Sequence, residues 1–168
     1  MSIQKLGPNQ QAWVDALRAN PEKQIAEVLG DLNIDKYCCL GMLCKIESDK
    51  LGGDVMESFN QLGLKISSEE QFEAHYKTVK LDEYGDARED DDFDLFLPEK
   101  LSDMYKFRSR EGHFYGKHVE VVVNSFIEKE RVLKTFTNLA ELNDAGASWK
   151  EIADIIEENP GRVFYEEY

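Results

Sequence analysis

The segment YCCLGMLC, residues 37–44, decides the fold, because it holds all three cysteines of the chain. Residues 37–46 are apolar apart from Gly41 and Lys45, and an apolar run of this kind forms a buried helix or a buried strand. Its length favours a helix that continues to about Ser48. On such a helix, Gly41 lets a neighbouring backbone approach closely.

Three roles are open to the cysteines: zinc ligands, an enzymatic nucleophile or core packing. Cys38 and Cys39 are adjacent, so they do not easily coordinate the same zinc ion, and no histidine lies near them in sequence. A nucleophile needs a base, for which the chain offers His75, His113 and His118. Core packing is favoured, since apolar surroundings raise a thiol pKa and make the thiol inert. We predict no metal, no cofactor and no catalytic residue.

The charge balance restricts the class of partner. The chain carries 34 acidic and 20 basic residues, a net charge of -14, and this field repels phosphate backbones and anionic membranes. A basic protein, or a protein that itself binds nucleic acid, is the partner that the charge favours. An apolar run long enough to span a membrane, a signal peptide and a disulfide framework are all missing from the sequence, which predicts a cytoplasmic protein.

Most of the chain has the pattern of helices in a single domain, residues 1–168. Helices are predicted for residues 8–20, 21–30, 54–63, 67–76 and 98–107. The strongest strand signal is KHVEVVVNSF, residues 117–126, because valine suits a pleated strand. Residues 131–136 either pair with that strand as a hairpin or begin the next helix.

An acidic run interrupts the middle of the chain. LDEYGDAREDDDFD, residues 81–94, contains eight acids and one arginine, and like charges at this density predict an extended, solvated loop. Within it, Asp90, Asp91, Asp92 and Asp94 are candidates for binding a partner. These carboxylates could imitate a phosphate ladder and occupy a basic groove.

The C-terminal third predicts a helical hairpin. TNLAELNDAG, residues 137–146, reads as a helix, and the capping box from Ser148 to Glu151 opens a second helix. Asn143 and Asp144 lie at the junction, where such side chains form turns or bind a ligand. Together with Tyr37 and Cys38 they are the candidate ligand-binding residues. A helix-turn-helix is disfavoured, because proline, glycine and glutamates follow where a recognition helix belongs.

Four segments together resemble a family of small proteins encoded by phages and prophages. They are AWVDALRANP, YCCLGMLCKI, the Leu97-Pro98 helix start and LNDAGASWKEIADIIE. That family carries a CCLGVLC-like stretch and a C-terminal LND-glycine-aromatic-IA-IE pattern; here Met42 replaces the usual valine and Trp149 the usual phenylalanine. The resemblance implies a phage accessory protein in the host cytoplasm, and it transfers no catalytic residue.

The sequence therefore predicts an α+β protein, a mainly helical single domain with a small antiparallel sheet and a C-terminal helical hairpin. The leading functional hypothesis is a non-enzymatic binder whose acidic surface inhibits or redirects a basic host factor, with a defence factor as the first candidate. The first alternative is a sponge for a small nucleotide-like signalling ligand. The second is a cysteine-dependent enzyme using Cys38 or Cys39. Direct nucleic-acid binding and membrane binding are disfavoured, and a homo-oligomer stays open.

Overall fold

A computed structural model describes residues 5–67, 69–81, 84, 87–94, 96–116, 118–124 and 129–165, with the backbone alone for 74–81 and 87–94. The helices of these residues are α1 (Pro8–Ala19), α2 (Cys39–Leu51), α3 (Val55–Leu62), α4 (Glu99–Met104), α5 (Leu139–Asp144) and α6 (Trp149–Glu158). The strands are β1 (Gly30–Asp31), β2 (Lys36–Tyr37), β3 (Leu64–Ile66), β4 (Gln71–Leu81), β5 (Ala87–Asp94), β6 (Val119–Asn124) and β7 (Arg131–Phe136).

Helix α2 is the centre of the core, as the cysteine segment predicts. Cys38 is its N-cap, and the Cys38 sulfur accepts a hydrogen bond from the Gly41 amide at 3.3 Å. Cys39 and Cys44 are fully buried, and Cys38 is 5% exposed. The prediction of a buried helix whose thiols pack in the core is therefore confirmed.

Helix α1 packs against α2 through the Trp13 side chain and is joined to α6 by ion pairs. The Trp13 indole donates to the Cys39 carbonyl at 2.9 Å, and its ring lies 5.5 Å from that of Phe107. At the surface, Arg18 on α1 pairs with Asp154 and Glu157 on α6, each at 2.7 Å. These contacts hold the N-terminal helix against the C-terminal one.

The predicted helix over residues 21–30 is wrong. Only Pro21–Lys23 forms a short 3-10 turn, and Glu27 adopts a left-handed backbone with φ 67°. Backbone groups here bond to distant partners instead of to each other: the Ile25 amide donates to the Tyr37 carbonyl, and the Glu27 amide donates to Asp144. Long-range hydrogen bonds thus override the local helical pattern.

The predicted helix over residues 67–76 and the predicted acidic loop are also wrong. The Ser67 hydroxyl accepts from the amides of Glu69 and Gln71, which forms a turn into β4 rather than a helix cap. Residues 87–94 of the acidic run form β5, antiparallel to β4, and the register places Lys77 opposite Asp91; residues 82, 83, 85 and 86 of the run lie outside the described residues. A local charge count does not include the distant strand that pairs with β5, so it cannot predict this sheet.

The five strands β1 to β5 form one antiparallel sheet, with the order β2-β1-β4-β3 and with β5 on β4. Gly30 in β1 lies under aromatic rings, and a Cβ there would come within 2.1 Å of the Phe72 ring. A separate hairpin, β6–β7, confirms the strand signal over Val119–Asn124 and the hairpin alternative for residues 131–136; residues 117, 125 and 126 of the predicted strand lie outside the described residues.

The C-terminal hairpin of α5 and α6 is confirmed. Ser148 caps α6, and the reciprocal contacts with Glu151 complete the predicted capping box. Asn138 caps α5 by accepting from the Glu141 amide at 2.8 Å. With the helices and the two antiparallel sheets, the predicted α+β class is confirmed.

Gly41 is the tightest point of the core, since a Cβ there would lie 1.5 Å from the Leu29 carbonyl oxygen. We expect Gly41→Ala to lower the free energy of unfolding by about 3 kcal/mol or more, despite the better helix propensity of alanine. Urea unfolding measures the effect. Asn60→Ala on the exposed face of α3 is the matched control and should stay within about 0.7 kcal/mol of the parent. Equal stability of the two variants would contradict this packing.

Candidate functional site

A cleft of about 380 Å³ opens beside the N-terminus of α2, a size within the usual range of small-ligand sites, roughly 300–1,000 Å³. Five segments of the chain form its walls, including the loop before β1, the N-cap of α2 and the entry to α5. The lining residues are Glu27, Val28, Cys38, Phe96, Glu111, His113, Thr137, Asn138, Ala140, Glu141 and Asp144.

Three carboxylates of this cleft each have one oxygen close to another group of the protein, and two of them, Glu141 and Asp144, are held by hydrogen bonds. Glu111 Oε2 lies 2.6 Å from His113 Nδ1. Glu141 Oε2 accepts from the Thr137 hydroxyl at 2.8 Å and from the Thr137 amide at 3.2 Å. Asp144 Oδ1 accepts from the Glu27 amide at 2.9 Å. Among the residues that the structure describes, the second oxygen of each carboxylate has no hydrogen-bond partner, so each presents an acceptor.

Two polar side chains at the cleft are almost completely buried. Cys38 is 5% exposed and Asn138 is 7% exposed. Asn138 Oδ1 accepts from the Glu141 amide, and an isolated β-bridge joins residue 138 to His113. Within the described part of the chain, the Cys38 S–H has no acceptor. The cleft thus combines exposed carboxylates with a buried polar floor.

The surroundings of Cys38 do not suit nucleophilic catalysis, although His113 and Glu111 line the same cleft. Burial raises the pKa of the Cys38 thiol to about 12, so the thiolate is scarce at neutral pH. An oxyanion is normally stabilised by backbone amides at such a helix start. Here the Cys38 amide donates to the Leu29 carbonyl, the Cys39 amide to Asn143 and the Gly41 amide to the Cys38 sulfur.

Asn143 lies beneath the cleft as a buried hub, with 1% of its surface exposed. Its Oδ1 accepts from the Cys39 amide at 3.1 Å and from the Trp149 indole at 3.2 Å. Gln24 donates to the same oxygen at 3.2 Å, and Asn143 Nδ2 donates to the Ile25 carbonyl at 2.8 Å. The side chain therefore joins four segments, and its hydrogen bonds are made inside the protein.

The structure brings two of the sequence candidates, Cys38 and Asp144, to the cleft. Tyr37 is buried instead between the sheet and α2, and its hydroxyl donates to Asp35 at 2.7 Å. The candidates of the acidic run, Asp90, Asp91, Asp92 and Asp94, lie on β5, where side chains are outside the described part.

Sequence reasoning missed Glu27, Glu111 and Glu141 as cleft residues. Glu111 and His113 belong to the segment RSREGHFYG, whose only unusual feature in sequence was its basic and aromatic composition. The residues come from parts of the chain more than a hundred positions apart, and only the tertiary fold unites them. No sequence spacing could have revealed this arrangement.

Residues 8–160 match the model of a protein family described as Domain of unknown function (DUF8296). The chain belongs to this family. No curated protein and no solved structure matches it. In the described residues, no helix is long and apolar enough to cross a membrane, and no three His, Cys, Asp or Glu side chains group as metal ligands would.

The buried thiols are expected to make the free energy of unfolding fall at alkaline pH. The folded pKa of Cys38 is about 12, above the unfolded value of about 8.5. The protonated thiol is favoured in the folded state, so its contribution is full below about pH 8.5 and is lost as the pH rises further. We expect the parent to lose about 1.4 kcal/mol more per pH unit than Cys38→Ala between about pH 9 and about pH 11. Urea midpoints across that range measure the difference; parallel curves would contradict it.

The Asn143 hub predicts a large loss of stability on truncation. Asn143→Ala leaves the Cys39 amide and the Trp149 indole without their acceptor, and unsatisfied buried donors cost about 1–3 kcal/mol each. We expect the free energy of unfolding to fall by about 3 kcal/mol, measured by urea denaturation. Asn33→Ala, at an exposed turn, is the control and should change it by less than about 0.5 kcal/mol. A hub variant as stable as this control would refute the role of Asn143.

Proposed function

We propose that this protein is a non-enzymatic binder that holds a cationic group of a basic partner in the cleft beside α2. The observation that carries the proposal is the lining of the cleft, which includes Glu27, Glu111, Glu141 and Asp144. No lysine or arginine is among the described residues that line it. A positively charged group that enters the cleft finds several oxygen acceptors.

The net charge of the whole chain also favours a positively charged partner. At -14, the chain attracts basic surfaces over long range and speeds their encounter with the cleft. A basic host protein, including one whose own function is to bind nucleic acid, is the partner class that we propose. The phage-family resemblance gives the setting: an accessory protein in the host cytoplasm that inhibits or redirects a host factor, with a defence factor as the leading candidate.

A sponge for a small nucleotide-like ligand is the less favoured alternative. The size of the cleft suits such a ligand, but carboxylates at its rim repel phosphate groups. A cysteine-dependent enzyme is disfavoured by the buried, protonated Cys38 and by the occupied backbone amides around it. A thiol-directed probe that labels the native protein rapidly at Cys38 would favour the enzyme instead.

A defined basic peptide tests the proposal. We expect a fluorescein-labelled peptide of alternating glycine and basic residues to bind in fluorescence anisotropy, and an acidic peptide of equal length not to bind. Because the attraction is electrostatic, raising the salt from about 0.05 M to about 0.5 M should weaken binding at least about tenfold. Affinity that does not change with salt would contradict the proposal.

Paired variants locate the binding. Glu27→Gln with Glu111→Gln removes two cleft charges, and we expect the affinity for the basic peptide to fall at least about tenfold. Glu69→Gln with Glu130→Gln removes the same number of charges from exposed positions outside the cleft lining. This control should lower the affinity only about twofold, through the general field. Equal losses in both pairs would place the peptide elsewhere on the surface.

A further inference from the structure

We infer that the cationic group held in the cleft is a guanidinium, presented by an arginine side chain on the surface of the partner. The inference rests on the proposed function and names the chemistry of the recognised group. It is drawn from the arrangement of the carboxylate oxygens, from the apolar wall and from the buried floor of the cleft.

The anchored carboxylates offer separate acceptors whose positions are fixed before a ligand arrives. Glu111, Glu141 and Asp144 each use one oxygen within the protein and present the other. Because hydrogen bonds restrict the rotation of the Glu141 and Asp144 side chains, these two lose little further entropy when a ligand binds. Such a set favours a ligand that donates in several fixed directions at once.

A guanidinium meets that requirement better than an ammonium. It presents five N–H donors in a rigid plane, whereas lysine presents three donors on a compact, strongly hydrated charge. Guanidinium is also the more weakly hydrated cation, so leaving water for a partly apolar cleft costs it less. Spread among separated acceptors, the planar donor set makes more simultaneous hydrogen bonds than a point charge does.

The walls of the cleft supply the contacts that an arginine side chain needs beyond its charge. Val28, Phe96 and Ala140 are half-buried lining residues that provide apolar surface. The methylene groups of arginine pack on such surface, and its guanidinium stacks on aromatic rings more readily than an ammonium does. A free inorganic cation would leave this apolar wall unused.

The floor of the cleft adds one further acceptor. Asn138 is 7% exposed and uses one lone pair of Oδ1 for the Glu141 amide, which leaves the second lone pair available to a donor of the ligand.

Three short peptides that differ in one residue test the inference. Each is acetylated and amidated glycine-X-glycine, where X is arginine, lysine or the neutral citrulline. We expect isothermal titration of the intact protein to show arginine binding at least about tenfold more tightly than lysine, and citrulline not binding at the same concentrations. If lysine binds as tightly as arginine while the longer basic peptide still binds, the guanidinium inference fails and the proposed function stands. If neither the short nor the long basic peptides bind, both fail.

Variants of the cleft carboxylates test which side chains cause the preference for arginine over lysine. We expect Glu111→Gln to reduce the preference for arginine over lysine to below about threefold, because one fixed acceptor becomes a mixed donor and acceptor. Glu69→Gln is the control and should leave the preference unchanged. Thermal unfolding of each variant separates a loss of binding from a loss of folding. A folded Glu111→Gln variant with the full preference would overturn the assignment.

Discussion

The amide side chain of Asn143 is the constraint on which the rest of the structure depends. It is buried, yet it forms hydrogen bonds with four partners in three other segments: the start of α2, the indole of Trp149 in α6, and the adjacent residues Gln24 and Ile25. Burying these polar groups without partners would be costly. The chain therefore has one arrangement in which they are all satisfied, and that arrangement places the N-cap of α2 against the α5–α6 junction, where the cleft opens.

The same arrangement explains why the cleft is suited to binding and not to bond-making. Capping the first turn of α2 with Asn143 and with the Cys38 sulfur consumes the amides that could otherwise stabilise developing negative charge. Burial, which raises the pKa of the thiols, follows from the apolar packing around α2. What the cleft retains is fixed geometry and acceptor oxygens, both of which serve recognition.

The sequence predicted elements whose cause is local. The capping box of Ser148 and Glu151 and the apolar run of α2 each arise from residues that are close in sequence. The structure confirms both predictions. The errors at 21–30 and 67–94 share a different cause: these segments bond to distant partners, such as Tyr37 for Ile25 and β4 for β5. The cleft is of this second kind, because Glu27, Glu111 and Asp144 meet only through tertiary contacts.

The carboxylates of the cleft are held differently from the ion-paired carboxylates of this acidic surface. In those pairs a cation compensates the charge: Lys150 and Arg18 lower the pKa of Asp154, Arg18 lowers the pKa of Glu157, and Lys23 lowers the pKa of Asp35. In the cleft, Glu141 and Asp144 are held by a hydroxyl and by backbone amides, which fix their positions without cancelling their charge. Surface solvation alone requires no such positioning. Negative charge that is held in place and left uncompensated stabilises a cation when one arrives, and this is the physical basis for regarding the cleft as a receptor.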